Sequence, residues 1–301
     1  MHLTKKKTAI LVLALAMCIG VASAAVLEYF GRIVTTVYVK QAVLLDGKDI
    51  TEMPITEEAN VAGGEIVCKF HWLTSQTTVP VNLIFVTDVT YDGGITVEYY
   101  KVDELTLGAS DFAYRDPAVE YVSKVVVSRG EGCAVWTIDL NGSLISGHWS
   151  TGAQLLIATP EVIYTFGISP GAASQPVYKE YKNGAWSSPL PVPEGMTAEG
   201  NVNDEHFVLQ IPLKYLCGAK WAINIEASWA GHSGSYYAQY PKGWGRWSNP
   251  TAGVADLLTP IGSQFTLAPG ERLDFIICYK FATNIKPDIY TITTTVKLAP
   301  E

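Results

Sequence analysis

Residues 25–46 read AVLEYFGRIVTTVYVKQAVLLD. In an extended chain one face of this stretch carries Ile33, Thr35, Val37, Val39, Val43 and Leu45, interrupted only by Gln41. The other face alternates Arg32, Thr36 and Lys40 with Val34, Tyr38, Ala42 and Leu44. Period-2 patterning with many β-branched residues predicts one long strand. It has few local partners. An unpaired strand exposes a row of backbone donors and acceptors beside an apolar face, which is the template on which another chain pairs.

Upstream lie Lys5, Lys6 and Lys7, an apolar run from Ala9 to Val21, and Ala22-Ser23-Ala24. A basic region, an apolar region and a small-x-small site predict a signal peptide over residues 1–24, cleaved after Ala24. The alternative is an uncleaved anchor, because Thr8 to Leu27 is free of charge and about 20 residues span a bilayer. In that case the segment is the chain's one contact with a membrane. Either way the remainder is expected to be secreted, extracellular or at the cell surface.

Downstream, Asp46-Gly47-Lys48-Asp49 is a turn with a glycine suited to positive φ. The segments IVCKFHWL, VPVNLIFVTDV and ITVEYYKV follow, separated by Gly, Asp and Pro turns, as in an antiparallel sandwich or barrel. The strand rhythm weakens between Leu105 and Pro117, then resumes through EYVSKVVVS, CAVWTIDL, QLLIATPEVIYTFGI, PVYKEYKNGAWS, HFVLQIPLKYL and WAINIEASW. Within this run Asn183-Gly184 is a strong hairpin signal. Near the C-terminus, LAPGERL at 267–273 repeats the layout of VAGGEIV at 61–67: a small residue, a turn, Gly-Glu, then an alternating strand. These two segments are expected to be equivalent strand entries in one sandwich. The fold expected is therefore all-β, a jelly-roll-like antiparallel β-sandwich with a second β-sandwich domain inserted. Its host is 25–110 with 252–301, and the insertion is 111–251, at an exposed loop that leaves the host core intact.

The composition, 48% hydrophobic and 11% aromatic, supports a real core and argues against disorder. The net charge is -8 for the whole chain; without residues 1–24, which hold three lysines and no acid, 18 basic residues face 29 acidic ones, a net of -11. Such a surface repels nucleic acid and anionic lipid, so neither is an expected partner. Cys18 lies in the signal, leaving Cys68, Cys133, Cys217 and Cys278. Four cysteines allow three connectivities, and sequence does not choose among them. Their place in strand-like segments suits structural disulfides, and buried free thiols are the competing reading.

The segments GVASAAVLEYFGRIVTTVYVKQAVLLDG, TVPVNLIFVTDV, GGITVEYY and TLAPGERLDFIICYKFATNIKPDIYTITTTVKL resemble the TasA/camelysin-like secreted filament proteins, specifically their archaeal bundling-pilin relatives. The resemblance covers residues 9–101 and 257–301. It implies a jelly-roll-like sandwich that polymerises by donor-strand complementation, each subunit's N-terminal strand filling a groove in the next. The donor would run from Ala25 to Val39, with Tyr29, Ile33, Thr35, Val37 and Val39 as its assembly residues, and Gln41 to Leu45 passing into the subunit's own sheet. The partner expected is the chain itself, head to tail. Such a contact does not close on itself, so it builds a filament, with main-chain hydrogen bonds for strength and alternate side chains for register. The competing reading pairs this strand within its own subunit as an ordinary first strand. The inserted domain departs from the simpler members of the family.

In the middle domain, EGNVNDEHFVLQIPLKYL resembles extracellular sandwiches of the DOMON and family-9 carbohydrate-binding type. Trp229, Tyr236, Tyr237, Trp244 and Trp247 are candidate stacking residues for sugar rings, because an aromatic face suits the apolar side of a pyranose. The same residues also suit burial or a subunit interface. Surface glycans are accordingly the alternative partner, bound by a cell-surface carbohydrate-binding module. Haem needs placed Met or His ligands, and His206 and His232 are isolated in sequence.

No enzyme signature is expected to operate. Gly231-His232-Ser233-Gly234-Ser235 lacks the final glycine of a nucleophile elbow, and there is no HExxH, phosphate loop or dinucleotide fingerprint. No cofactor is expected beyond a calcium ion at Asp46, Asp49 and Glu52 or at Asp88 and Asp92, and neither set has EF-hand spacing. Asn141-Gly142-Ser143 is a glycosylation sequon, whereas Asn249-Pro250-Thr251 is blocked by its proline.

Overall fold

The run RLDFIICYKF is apolar at seven of its ten positions, and strand Arg272–Phe281 is buried along both faces. Its Leu273, Phe275, Ile277, Tyr279 and Phe281 pack with Leu83, Phe85, Ile292 and Val296 in one core. Ile276 and Cys278 point the other way, into a second core with Trp136, Phe207 and Trp221. A strand covered on one face alternates; this one does not, because it is the shared wall of two sandwiches. Each fully buried side chain of this kind stabilises by about 1.5–3 kcal/mol.

The computed structural model describes residues 43–49, 55–61, 64–89, 94–115, 119–144, 148–169, 175–201, 204–229, 236–286 and 288–299. The fold is all-β, with antiparallel sheets packed as sandwiches. Two sheets hold the strands before residue 102 and after 258. The first runs Lys48–Asp49, Val43–Leu45, Ile66–Ser75, Arg272–Phe281, Ile95–Val102, Leu258–Pro260, and the second Gln264–Leu267, Val81–Val89, Asp288–Leu298, Ile55–Val61. The two echoed segments turn out to be neighbours. Ile66–Ser75 and Arg272–Phe281 pair antiparallel, each entered through a glycine at positive φ, Gly64 at 87° and Gly270 at 70°.

Two further sheets hold the strands between 105 and 256. The smaller runs Thr197–Glu199, His206–Pro212, Cys133–Leu140, Val122–Gly130, Leu105–Gly108. The larger runs Ala185–Trp186, Pro176–Lys182, Ile163–Ile168, His148–Ala158, Lys220–Trp229, Tyr236–Tyr240, Ala113–Tyr114, with Ala255–Asp256 pairing to Lys220–Trp229. Trp136 from one sheet meets Trp221 from the other at 5.9 Å between ring centroids, both fully buried. The Asn183-Gly184 hairpin forms as a two-residue turn with φ of 54° and 80°, and Asp46-Gly47 forms a second one with 50° and 78°.

Candidate functional site

The outward face of the eight-stranded sheet carries a polar and aromatic surface on rigid central strands. Directly paired residues in an antiparallel sheet share a face. Gln239 pairs with Asn224 and Asn224 with Gln154; on the next rung Leu156 pairs with Thr165 and Thr165 with Lys179. These residues point away from the core that buries Ile223, Ile225, Leu155 and Phe166. Gln239 Nε2 donates to Asn224 Oδ1 at 3.1 Å, and Asn224 Nδ2 donates to Glu226 Oε1 at 2.8 Å. Asn224 and Gln239 are buried, so these bonds fix the amides in one arrangement.

The segment after Tyr236–Tyr240 folds back over this face. Trp244 is buried against Leu156, Ala158 and Ala222, and its Nε1 donates to the Pro250 carbonyl at 3.0 Å. Trp247 stands edge-on to Trp244 at 4.9 Å and to Trp186 at 5.7 Å. Trp186 donates from Nε1 to the Trp247 carbonyl at 3.0 Å and lies 5.1 Å from Tyr181. The Arg246 guanidinium covers the Tyr237 ring at 3.7 Å. Between these rings and the strands lies an open cleft of ≈ 250 Å³ lined by Gln154, Thr165, Lys179, Trp186 and Trp247.

The candidate aromatics therefore divide. Tyr237 and Trp247 lie on the outward face, and Trp244 is the buried anchor beneath it. Tyr236 packs against the core, with its carbonyl accepting from the Tyr121 hydroxyl at 3.2 Å. The side chain of Trp229 lies outside the described residues. Sequence reading missed Gln154, Thr165, Lys179, Trp186 and Asn224. For Gln154, Thr165 and Asn224 a signal was present, because in QLLIA, IYTFGI and INIEAS each is a polar residue within a largely apolar strand.

A second constellation lies where the two sandwiches meet. Cys217, after the turn Leu213–Tyr215, is bonded to Cys278 of the shared strand. Cys68 pairs across from Cys278, and the three sulfur atoms lie within 4.8 Å of one another. This is the one group of three or more clustered His, Cys, Asp or Glu ligand atoms among the described residues. Burial, with Glu161 adding to it, pushes the Cys68 thiol up to about 12. Cys68 and Cys217 share the wall of a cleft of ≈ 300 Å³ with Glu161, Tyr164 and Tyr215, and Glu161 Oε1 accepts from the Ile66 amide at 2.6 Å. Cys133 is free, its thiol also raised by burial and by Asp274 and Glu131. Nearby, buried Asp274 accepts from the Gly132 amide at 3.0 Å and from Arg272 Nε at 2.7 Å, while Arg272 Nη1 reaches Glu131 at 2.9 Å.

Tyr29, Ile33, Thr35, Val37 and Val39 lie outside the described residues, as do His232 and the Gly231–Ser235 string. His206 Nδ1 contacts Asp139 at 2.6 Å on the surface. Of the carboxylates considered for calcium, Asp46 is engaged by His71 Nδ1 at 2.7 Å and by the Trp72 amide at 3.0 Å, and Asp88 is exposed. Glu52, Asp92 and the Asp49 side chain lie outside the described residues. Asn141 sits in a turn, its Oδ1 accepting from the amide and hydroxyl of Ser143 at 3.2 and 2.7 Å. Among the described residues no helix is long and apolar enough to cross a membrane.

The fold and this surface define an all-β protein of paired sandwiches with an aromatic and amide-lined outer face. No protein-family model and no curated protein matches the chain.

Proposed function

We propose that the chain is a structural subunit of an extracellular filament, a pilus or biofilm-matrix fibre, that polymerises by donating its N-terminal strand to a groove in the next copy. The observation that carries this reading is a register. Val43 pairs with Ser75, the last residue of strand Ile66–Ser75, so among the described residues this strand has no continuing register to offer the stretch before Val43. That stretch is the long alternating sequence from Ala25, with backbone groups that need a partner.

The surface of the host sandwich supports the same reading. Of the large apolar side chains exposed among the described residues, Val86, Ile289 and Leu298 belong to its four-stranded sheet and Val79 lies just before it. Among the described residues, strand Ile55–Val61 lies at the edge of that sheet and pairs only with Asp288–Leu298. An incoming strand there gains main-chain bonds, and each buried apolar anchor adds about 1.5–3 kcal/mol. The operator is head-to-tail and open, which gives fibres rather than dimers.

Negative-stain microscopy of the mature protein and of a form lacking residues 25–39 tests this. The mature protein is expected to form fibres and the truncated form discrete particles. A synthetic peptide of residues 25–46 is expected to bind the truncated form and raise its Tm. Fibres from the truncated chain would sink the proposal.

A further inference from the structure

We infer that the outer cleft of the eight-stranded sheet is a binding site for a carboxylated sugar, a hexuronate unit of an acidic glycan. The cleft, ≈ 250 Å³, has room for one pyranose ring, and its lining divides by chemistry. Trp186 and Trp247 stand almost perpendicular, at 88°, so one offers a ring face where the other offers an edge. The axial C–H side of a pyranose is apolar and packs on such a face, leaving its hydroxyls directed outward. Those hydroxyls meet Gln154, an amide that both donates and accepts, and Thr165, a hydroxyl that does the same. Apolar wall plus a few fixed polar groups is the usual constitution of a small-molecule site.

The cleft is also kept open. Gly167 is the direct partner of Gln154 on the neighbouring strand, and it has φ of 149°. A Cβ there would lie 2.1 Å from the Ala153 carbonyl oxygen, so no side chain can grow beside Gln154. The floor itself is rigid, because Gln154 lies beside the Asn224 amide that is locked between Gln239 and Glu226.

Lys179 selects the charge. It is the one ionisable residue of the lining. Glu180, the nearest acid in sequence, is on the opposite face, bonded by Lys182 and the Tyr178 hydroxyl. Among the described residues no carboxylate forms an ion pair with Lys179. A half-buried ammonium with no ion pair among the described residues, on a protein of net charge -8, is a local exception that a ligand carboxylate would satisfy. The site does not depend on strand donation, and a subunit that no longer polymerises is expected to retain it.

Titration calorimetry of the full mature chain with a galacturonate trisaccharide and with the galactose trisaccharide as probes tests the inference. The acidic probe is expected to bind at least about tenfold more tightly, equivalent to about 1.4 kcal/mol. Lys179→Gln is expected to erase that preference while leaving the weaker neutral affinity, and Trp247→Ala to abolish binding of both. Because Trp247 also packs on Trp244, the second variant counts only when its circular dichroism matches the parent, and Lys179→Gln carries the test otherwise. Absence of heat with either probe would overturn the site. Equal affinity for the two, or no change in Lys179→Gln, would overturn the acidic class. If Trp247→Ala blocks fibre formation and neither trisaccharide binds, the face is a subunit contact and the inference is overturned.

Discussion

Cys68 stands directly across from Cys278 in adjacent antiparallel strands, while Cys278 is bonded to Cys217 of the neighbouring sandwich. One sulfur therefore has two partners within reach, since the three lie within 4.8 Å. Directly opposed residues in an antiparallel pair have Cα atoms about 4.5–5.5 Å apart, inside the range a disulfide spans. In a Cys217→Ser chain treated with oxidised glutathione, Cys278 is expected to pair with Cys68, leaving Cys133 as the alkylatable thiol. The reaction is expected to accelerate with pH, because the thiolate attacks and the Cys68 thiol is pushed up to about 12. Peptide mapping without reductant reads the outcome. Recovery of Cys68 and Cys278 both as alkylated thiols would contradict it.

Two glycines at positive φ separate conformational cost from steric cost. At Gly184, φ is 80° and a Cβ would meet nothing within 4 Å, so Gly184→Ala is expected to cost only the left-handed penalty, about 1–2 kcal/mol. At Gly167 the Cβ would meet Ala153 O at 2.1 Å and Gln154 Cα at 2.9 Å, both backbone atoms of a central strand that cannot step aside cheaply. Gly167→Ala is expected to fall in the exceptional class beyond about 4 kcal/mol, or not to fold. Urea titration of the two variants side by side measures the difference. Equal destabilisation would mean that the two central strands yield easily.

Much of the fold is legible in the sequence where a local rule and the global arrangement agree. Asn183-Gly184 and Asp46-Gly47 announce their turns because both positions of such a turn need positive φ. The echo of VAGGEIV in LAPGERL marks two strand entries with the same backbone demand, and those strands become neighbours. The period-2 rule alone describes Arg272–Phe281 less well. Its second buried face exists only because another sandwich covers it, through residues as distant in the chain as Trp221, Phe207 and Trp136. The candidate site was half legible for a similar reason. Trp244 and Trp247 stood out in an aromatic-rich loop, but Gln154, Thr165 and Lys179 come from three strands, and only the pairing register brings them together.

Alkaline pH is expected to unfold the protein through its phenols. Burial, with Glu98 adding to it, raises Tyr100 to about 12, and burial likewise raises Tyr114 to about 12. Tyr121 and Tyr164 are pushed up by deeper burial. In the unfolded chain these groups ionise near the ordinary value of 10.0. The folded state then holds protons that the unfolded state has released, so stability falls as pH rises. The contribution is fully present below pH 10 and is lost between pH 10 and about 12. Tm followed by circular dichroism across this window is expected to drop steadily, with the phenolate absorbance of these four tyrosines appearing only as the fold is lost. An unchanged Tm between pH 10 and about 12 would refute the account.

The joint between the sandwiches makes a prediction about cooperativity. Asp274, buried in the shared strand, accepts from Gly132 of one sandwich and from Arg272 of the other, and the Cys217–Cys278 bond crosses the same boundary. Removing the Asp274 carboxylate strands a part-buried amide and leaves Arg272 with exposed Glu131 and the Trp72 ring, so Asp274→Ala is expected to cost about 1–3 kcal/mol. Glu131→Ala removes a solvent-screened contact and is expected to cost about 0–1 kcal/mol. Every tryptophan except Trp72 lies between residues 105 and 256, so tryptophan fluorescence reports almost solely on that sandwich while far-ultraviolet dichroism reports on both. In the parent chain the two signals are expected to change together in urea, because Ile276 and Cys278 join one sandwich to the core of the other. In an Asp274→Ala, Cys217→Ser chain they are expected to separate into two transitions. Separate transitions already in the parent would mean that the shared strand packs against its neighbour without coupling the two folds.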